Sequence, residues 1–196
     1  MIYQMKPLSC DPARLTGLSE KLIVSHYENN YGGAVKRLNA ITSQLAELDM
    51  TKAPVFILNG LKREELIAAN SMILHETYFE GLGNAGALED DLAAAFARDF
   101  GSVERWRAEF TAMGKALGGG SGWVLLTYSP RDGRLLNQWA SDHAHALAAA
   151  TPILALDMYE HSYHIDFGAK AAAYVDAFMA NIRWSAVAQR WRMISA

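Results

Sequence analysis

The run GGGSG at positions 118–122 divides the chain more sharply than any other feature, because four glycines in five residues cannot sit inside a helix. Before it, apolar residues recur at helical spacing. After it, WVLLTYSPRDGRLLNQWAS reads as a strand, a turn built on Pro130, Asp132 and Gly133, and a second strand. TPILALDMY supplies a third short apolar run, and AKAAAYVDAFMANIRWSAVAQRW is expected to close the chain as one helix. This order predicts an α+β fold, with a small antiparallel sheet of about three strands and helices packed on it.

The helical part divides again near residue 85. In GLSEKLIVSHYENNYGGAVKRLNAITSQLAELD, Ser19 offers an N-cap, and Leu22, Ile23, Val35, Leu38, Ile41, Leu45 and Leu48 fall at roughly helical intervals, with Gly32 and Gly33 expected to bend the helix. A second helix, LKREELIAANSMILHETYFEGLG, is expected from about residue 61 to the glycines at 81 and 83. The two predict an N-terminal helical hairpin over 1–85. The stretches ALEDDLAAAFARDF and SVERWRAEFTAMGKAL then open a second, α/β unit over 86–196.

Composition narrows the functions open to such a chain. With 18 basic against 21 acidic residues it carries no electrostatic footprint for nucleic acid, so any anionic partner is small and locally bound. The single cysteine, Cys10, excludes an internal disulfide framework and a cysteine-rich zinc site. The start, MIYQMKPLSCDPARL, lacks the features of a signal peptide, and no apolar run reaches membrane-spanning length. The expectation is a reduced, cytoplasmic protein with neither membrane nor nucleic acid as partner.

Against this ordinary background, ALDMYEHSYHIDF crowds Asp157, Glu160, His161 and His164 into eight residues. The other four histidines are His26 and His75, one in each helix of the hairpin, and His143 and His145 in the polar segment before the third strand. One histidine from each helix can face a common crevice, and Asp157 can meet His161 at the end of a strand. Three imidazoles and one carboxylate suit iron or manganese, and the absence of thiolate argues against structural zinc.

These residues also carry a resemblance. DMYEHSYHIDF resembles the DxWEHAYYxDY signature of the iron and manganese superoxide dismutases, GGGSGW their GSGW segment, LIVSHYENNYGGAVKRLN their first-helix ligand motif, and LHETYF their NHTFYW segment. The four matches come in order and span nearly the whole chain, which is identified as a divergent member of that family. The resemblance implies one iron or manganese ion per subunit, held by His26, His75, Asp157 and His161 with a fifth position for solvent, and superoxide as substrate, converted to dioxygen and hydrogen peroxide. It implies a homodimer or higher homo-oligomer paired through Glu160 and Tyr163, with Glu160 reaching His161 of the partner subunit.

The surroundings of the ligands depart from the family pattern. The active-site tyrosine eight positions after the first ligand is Ala34, with Tyr27 and Tyr31 nearby. The histidine four positions after that ligand is Asn30, the tryptophan of DxWEH is Tyr159, and the second tyrosine of EHAYY is His164. Ser71 stands four positions before the second ligand, where many iron enzymes carry glutamine, and Ala171 replaces an arginine. A metal-binding relative without substantial turnover is therefore the alternative reading.

Trp123, matched to the tryptophan of GSGW, Tyr159 and Tyr27 are expected to line the site as candidate catalytic residues. His143 is expected to take the role of the missing glutamine, with its second nitrogen contacting Asp142 or Tyr27. A two-residue gap in the match would select His145 instead.

Overall fold

The computed structural model describes residues 2–195. Its first helix, α1 (Glu20–Ser25), starts as expected at Ser19, whose hydroxyl accepts a hydrogen bond from the Leu22 amide at 3.1 Å. That cap is itself held from a distant part of the chain, because the Ser19 amide and hydroxyl both donate to the Asp166 carboxylate, at 2.7 and 2.6 Å.

The helix then loosens, earlier than the glycines suggested. Residues His26–Tyr31 form a π-helical turn, closed by the Gly32 amide donating to the Tyr27 carbonyl, before α2 (Gly32–Glu47) continues. Residues five apart on a regular α-helix lie about 140° apart around the axis, five steps of about 100°. The wider turn reduces that angle, so His26 and Tyr31 are both buried on the inner face. Gly32 stays helical and serves a close approach instead, since a β-carbon there would meet the Met5 sulfur at 3.1 Å.

The second hairpin helix, α3 (Val55–Glu80), begins six residues before the expected start, directly after Pro54, whose fixed φ suits the entry to a helix. Helices α4 (Asp90–Phe100) and α5 (Val103–Ala116) follow.

The sheet has three strands, β1 (Trp123–Ser129), β2 (Arg134–Ala140) and β3 (Thr151–Asp157), in the antiparallel order β2-β1-β3. Helix α4 packs on β2, α5 on β1 and α3 on β3. Under α4 and α5, the rings of Phe96 and Trp106 stack at 4.5 Å, with Trp184 at 5.4 Å from Trp106. Such rings remove about 150–250 Å² each from water, which makes this cluster a large contribution to the core.

After a short helix, α6 (His164–Phe167), the expected single C-terminal helix is in fact two, α7 (Ala171–Ala180) and α8 (Trp184–Ser195). Asn181 breaks it. Its side chain is buried and exchanges hydrogen bonds with the Thr16 backbone, accepting at 2.8 Å and donating at 2.7 Å, while Ile182 forms a β-bridge with Leu82. Those distant partners outweigh the continuation of the helix across residues 181–183, a tertiary effect that apolar periodicity does not report. Among the described residues, no helix is long and apolar enough to cross a membrane.

Candidate metal centre

One end of the sheet faces the hairpin, and the strand register decides which residues gather there. Trp123, the first residue of β1, lies opposite Ala140 on one side and Asp157, the last residue of β3, on the other. The row is made possible by Gly122, whose φ of +129° and close approach to Ala140 leave no room for a side chain: a β-carbon would stand 2.2 Å from the Ala140 carbonyl oxygen.

Asp157 is buried completely and is fixed on several sides. Its Oδ1 accepts from the Tyr159 amide at 2.9 Å, and its carbonyl accepts from the Ser162 hydroxyl at 2.8 Å. Its Oδ2 faces three imidazoles, with Nε2 of His26 at 3.1 Å, of His161 at 3.2 Å and of His75 at 3.5 Å. One donor atom from each of the four residues lies within 4.8 Å of the others. The π-helical turn delivers His26, the last turns of α3 deliver His75, and the 3-10 turn Glu160–Ser162 after β3 delivers His161.

This arrangement fits a cation, and the tautomer of His75 shows why. Nδ1 of His75 lies 2.6 Å from the Ser71 carbonyl, which can only accept, so Nδ1 carries the proton. Nε2 therefore presents a bare lone pair; it is buried, has no hydrogen-bond partner among the described residues, and points toward a carboxylate oxygen. Two buried lone pairs facing each other are unfavourable unless a positive ion lies between them. Metal–nitrogen bonds of about 2 Å put neighbouring donors about 3 Å apart or a little more, the spacing seen here.

The charge states agree with that role. Burial, followed by the neighbouring His26, pushes His75 down to about 3, and burial also lowers His26, so both are neutral donors at ordinary pH. Burial alone would raise Asp157, but His161 and His26 outweigh it and hold the carboxyl well below its usual range. The result is two neutral imidazoles facing a full carboxylate, with His161 completing the set.

Aromatic rings wall this cluster. The Trp123 ring lies 5.3 Å from His75, edge to face. Tyr159 stacks on His161 at 5.4 Å and on His143 at 4.8 Å, and burial pushes its phenol up to about 12. The two nearby tyrosines separate in role. Tyr27, expected at the site, instead turns its hydroxyl away to donate to the Lys6 carbonyl at 2.7 Å, whereas Tyr31 is buried with its ring stacked 6.4 Å from His75. Tyr31 donates to Glu76 at 3.1 Å and accepts from the Lys6 amide at 2.8 Å. The signal that favours Tyr31 is the π-helical turn, which periodicity did not reveal.

The histidine pair before β3 also separates. The His143 ring lies 6.1 Å from His75, while His145 is exposed and bonded to Ser141 at 2.8 Å. Nδ1 of His143 accepts from the Trp123 indole at 3.0 Å, so its partner is neither Asp142 nor Tyr27. Asp142 instead accepts from the Ala144 amide at 2.7 Å. The loop is tied down by Asn70 of α3, which donates to the His143 carbonyl at 2.6 Å.

Of the expected pairing residues, Glu160 is exposed and its carboxylate has no hydrogen bond or ion pair among the described residues. Tyr163 is 2% exposed and packs inside its own chain, 5.4 Å from Tyr174.

Residues 88–190 match the family model described as iron/manganese superoxide dismutases, C-terminal domain. Superoxide dismutase [Fe] of Cupriavidus metallidurans is 79% identical over 191 residues, covering 97% of both chains. Superoxide dismutase [Mn] 1 of Halobacterium salinarum is 34% identical over 96% of this chain and 94% of its own. Superoxide dismutase [Fe] of Aquifex pyrophilus is 32% identical over 97% and 92%. The departures noted in the sequence therefore do not set the chain outside this group: with a buried His/Asp cluster and such relatives along almost its whole length, it belongs to the iron/manganese superoxide dismutase family.

Proposed function

We infer that the protein is a superoxide dismutase of the iron/manganese type, holding one ion per subunit through His26, His75, Asp157 and His161. The observation that carries this reading is the bare Nε2 of His75, aimed with two further imidazoles at one oxygen of a buried carboxylate. Relatives named for iron and for manganese share the family, and the donor set suits either metal. Two ligands come from the hairpin over 1–85 and two from the unit over 86–196, which supports a division of the chain with the ion between the parts.

When bound, the ion supplies one-electron redox chemistry, oxidising one superoxide to dioxygen and reducing the next to hydrogen peroxide with uptake of two protons. The chain supplies the setting. Binding through an unprotonated nitrogen of each imidazole and one carboxylate gives the donor set a single negative charge, which offsets part of the charge of the cation in a buried site. Ser71 orients His75 through its Nδ1 proton, and Ser162 with the Tyr159 amide orients Asp157. Trp123, Tyr159 and Tyr31 pack their rings against the ligand histidines and shield them.

His143 offers a proton beside the cluster, its ring 6.1 Å from that of His75. Because Nδ1 accepts from Trp123, the neutral ring carries its hydrogen on Nε2, where it can act as a donor in the role glutamine plays in many relatives. Exposed Glu160, one residue before a ligand, is the group through which a second copy would reach His161, so the active form on this reading is a homodimer or a higher homo-oligomer. Iron-loaded and manganese-loaded protein, with metal content measured, tests the function directly. Superoxide consumption by at least one form supports it, and full occupancy by both metals without consumption in either would refute it.

A further inference from the structure

Beside the cluster, a cavity of about 340 Å³ opens between α2 and α3, lined among others by Asn30, Gly33, Ala34, Arg37, Ser71 and His143. Ala34 and Gly33 keep it open, since neither carries a side chain that could reach across and a β-carbon on Gly33 would meet nothing within 4 Å. The inner end is His143, whose ring lies 6.1 Å from His75. Arg37 is the one cationic side chain of this lining, and no carboxylate shares it.

The charges around Arg37 leave a positive balance. Its acidic neighbour is Glu64, with Nη1 to Oε2 at 3.7 Å, and Glu64 also meets Arg63 at 3.3 Å. Two guanidiniums against one carboxylate leave one positive charge at the rim. Burial is the main reason the His143 imidazole sits below its usual value; among the charges, Asp157 and Asp142 oppose that shift while His161 and, more weakly, Arg37 add to it, and Arg37 is the one of these four that lines the cavity.

We propose that Arg37 is a specificity-determining residue that draws the small anionic substrate through this cavity toward His143 and the ligands. The proposal rests on the dismutase reading above, because it is superoxide that is steered. The Arg37 side chain, 62% exposed, is too wet to bind the anion tightly. It acts on encounter: a unit charge about 8 Å away in water changes the local concentration of a monovalent anion by about 2-fold, and salt screens the effect.

The test is the second-order rate of superoxide consumption by metal-matched holoenzyme at low and high ionic strength, for wild type, Arg37→Gln, Arg37→Lys and Glu64→Gln. Fluoride affinity of the same iron-loaded proteins, measured by calorimetry, gives a readout that does not depend on turnover. At low salt Arg37→Gln is expected to be about 2–3-fold slower and to bind fluoride correspondingly weaker. Arg37→Lys should match wild type, Glu64→Gln should be about 2-fold faster, and all four should converge near 0.5 M salt, where the Debye length is roughly 4 Å.

Superimposable salt profiles for wild type and Arg37→Gln would overturn the proposal. So would a deficit that persists at high salt and is not repaired by lysine, since that would assign Arg37 a positioning role. Wild-type holoenzyme that consumed no superoxide would count against the dismutase reading instead, and the fluoride series would then decide on Arg37 alone.

Discussion

The indole of Trp123 donates to Nδ1 of His143 at 3.0 Å, and this one hydrogen bond assigns the imidazole proton to the nitrogen that does not face the indole. Trp123 is itself fixed by strand register beside Asp157, so the orientation of His143 is tied to the same sheet end that presents the carboxylate. A ring held in that way can act as a donor without first choosing a tautomer.

His143→Ala is therefore expected to keep its metal and lose about 10–100-fold in turnover, the usual cost of removing a hydrogen-bond partner near a metal. Trp123→Phe should produce part of the same loss, because the ring stays apolar and buried while the donor disappears. His145→Ala should be nearly silent, given its exposed position beside Ser141. Elemental analysis alongside superoxide consumption decides this, and an unchanged rate and pH profile in His143→Ala at matched metal content would refute it.

Removing the carboxylate should act on the metal itself. Asp157→Ala deletes the only anionic donor of the set, and neither Glu160, which is exposed, nor Tyr159 can replace it. The expected outcome is metal content reduced at least 10-fold and a lower melting temperature than the holoenzyme, because an ion bound only by the folded state stabilises that state. Full occupancy of purified Asp157→Ala would remove this residue from the ligand set.

Gly114 sits where α5 approaches Leu156 and Val175 closely. A β-carbon there would lie 2.7 Å from Leu156 Cδ2 and 3.2 Å from both methyl groups of Val175. Gly114→Ala gains about 1 kcal/mol of helix propensity but overfills the core at about 1–3 kcal/mol. The clash should win, with melting lowered by a few degrees at equal metal content. A higher melting temperature would show that Leu156 and Val175 give way freely.

Glu80 joins three elements, with Arg190 of α8 and Lys6 of the N-terminal segment both meeting its carboxylate at the end of α3. Burial alone would raise Glu80, but Arg190 and then Lys6 outweigh it and lower the carboxyl below its ordinary value. A depressed pKa in the folded state contributes stability that is present above the unfolded carboxyl pKa and is lost as pH falls through the folded one. Glu80→Gln should thus cost about 1 kcal/mol near pH 7, discounted for partial exposure, and progressively less as pH falls below about 4. Denaturant titrations of both proteins at several pH values check it, and a gap that widens on acidification would reverse the sign.

Assembly is checked by light scattering. If Glu160 bridges to a second copy, Glu160→Ala should shift the protein toward monomer and weaken its metal retention together. A wild-type monomer at micromolar concentration that still holds metal would rule this out.

Much of the molecule was legible in the linear chain because its signals are local. The strand-turn-strand over 123–140 is carried by Pro130, Asp132 and Gly133, and the DMYEH segment puts Asp157 and His161 one strand end and one turn apart. What remained open depended on partners far away in sequence. Choosing His143 over His145 needed the Asn70 side chain of α3 and the Trp123 indole, 73 and 20 residues distant.

Choosing Tyr31 over Tyr27 needed a π-helical turn that apolar spacing does not encode, and splitting the last helix needed Asn181 to find the Thr16 backbone 165 residues away. By itself, the sequence determined the fold class and the three short strands, since hydrophobic periodicity and turn chemistry act over a few residues, while the four candidate donors were named through the family motifs that carry them. Only the tertiary structure decided which imidazole proton, which phenol and which cavity face the cluster, because those follow from strand register and long-range hydrogen bonds that exist only once the chain has closed on itself.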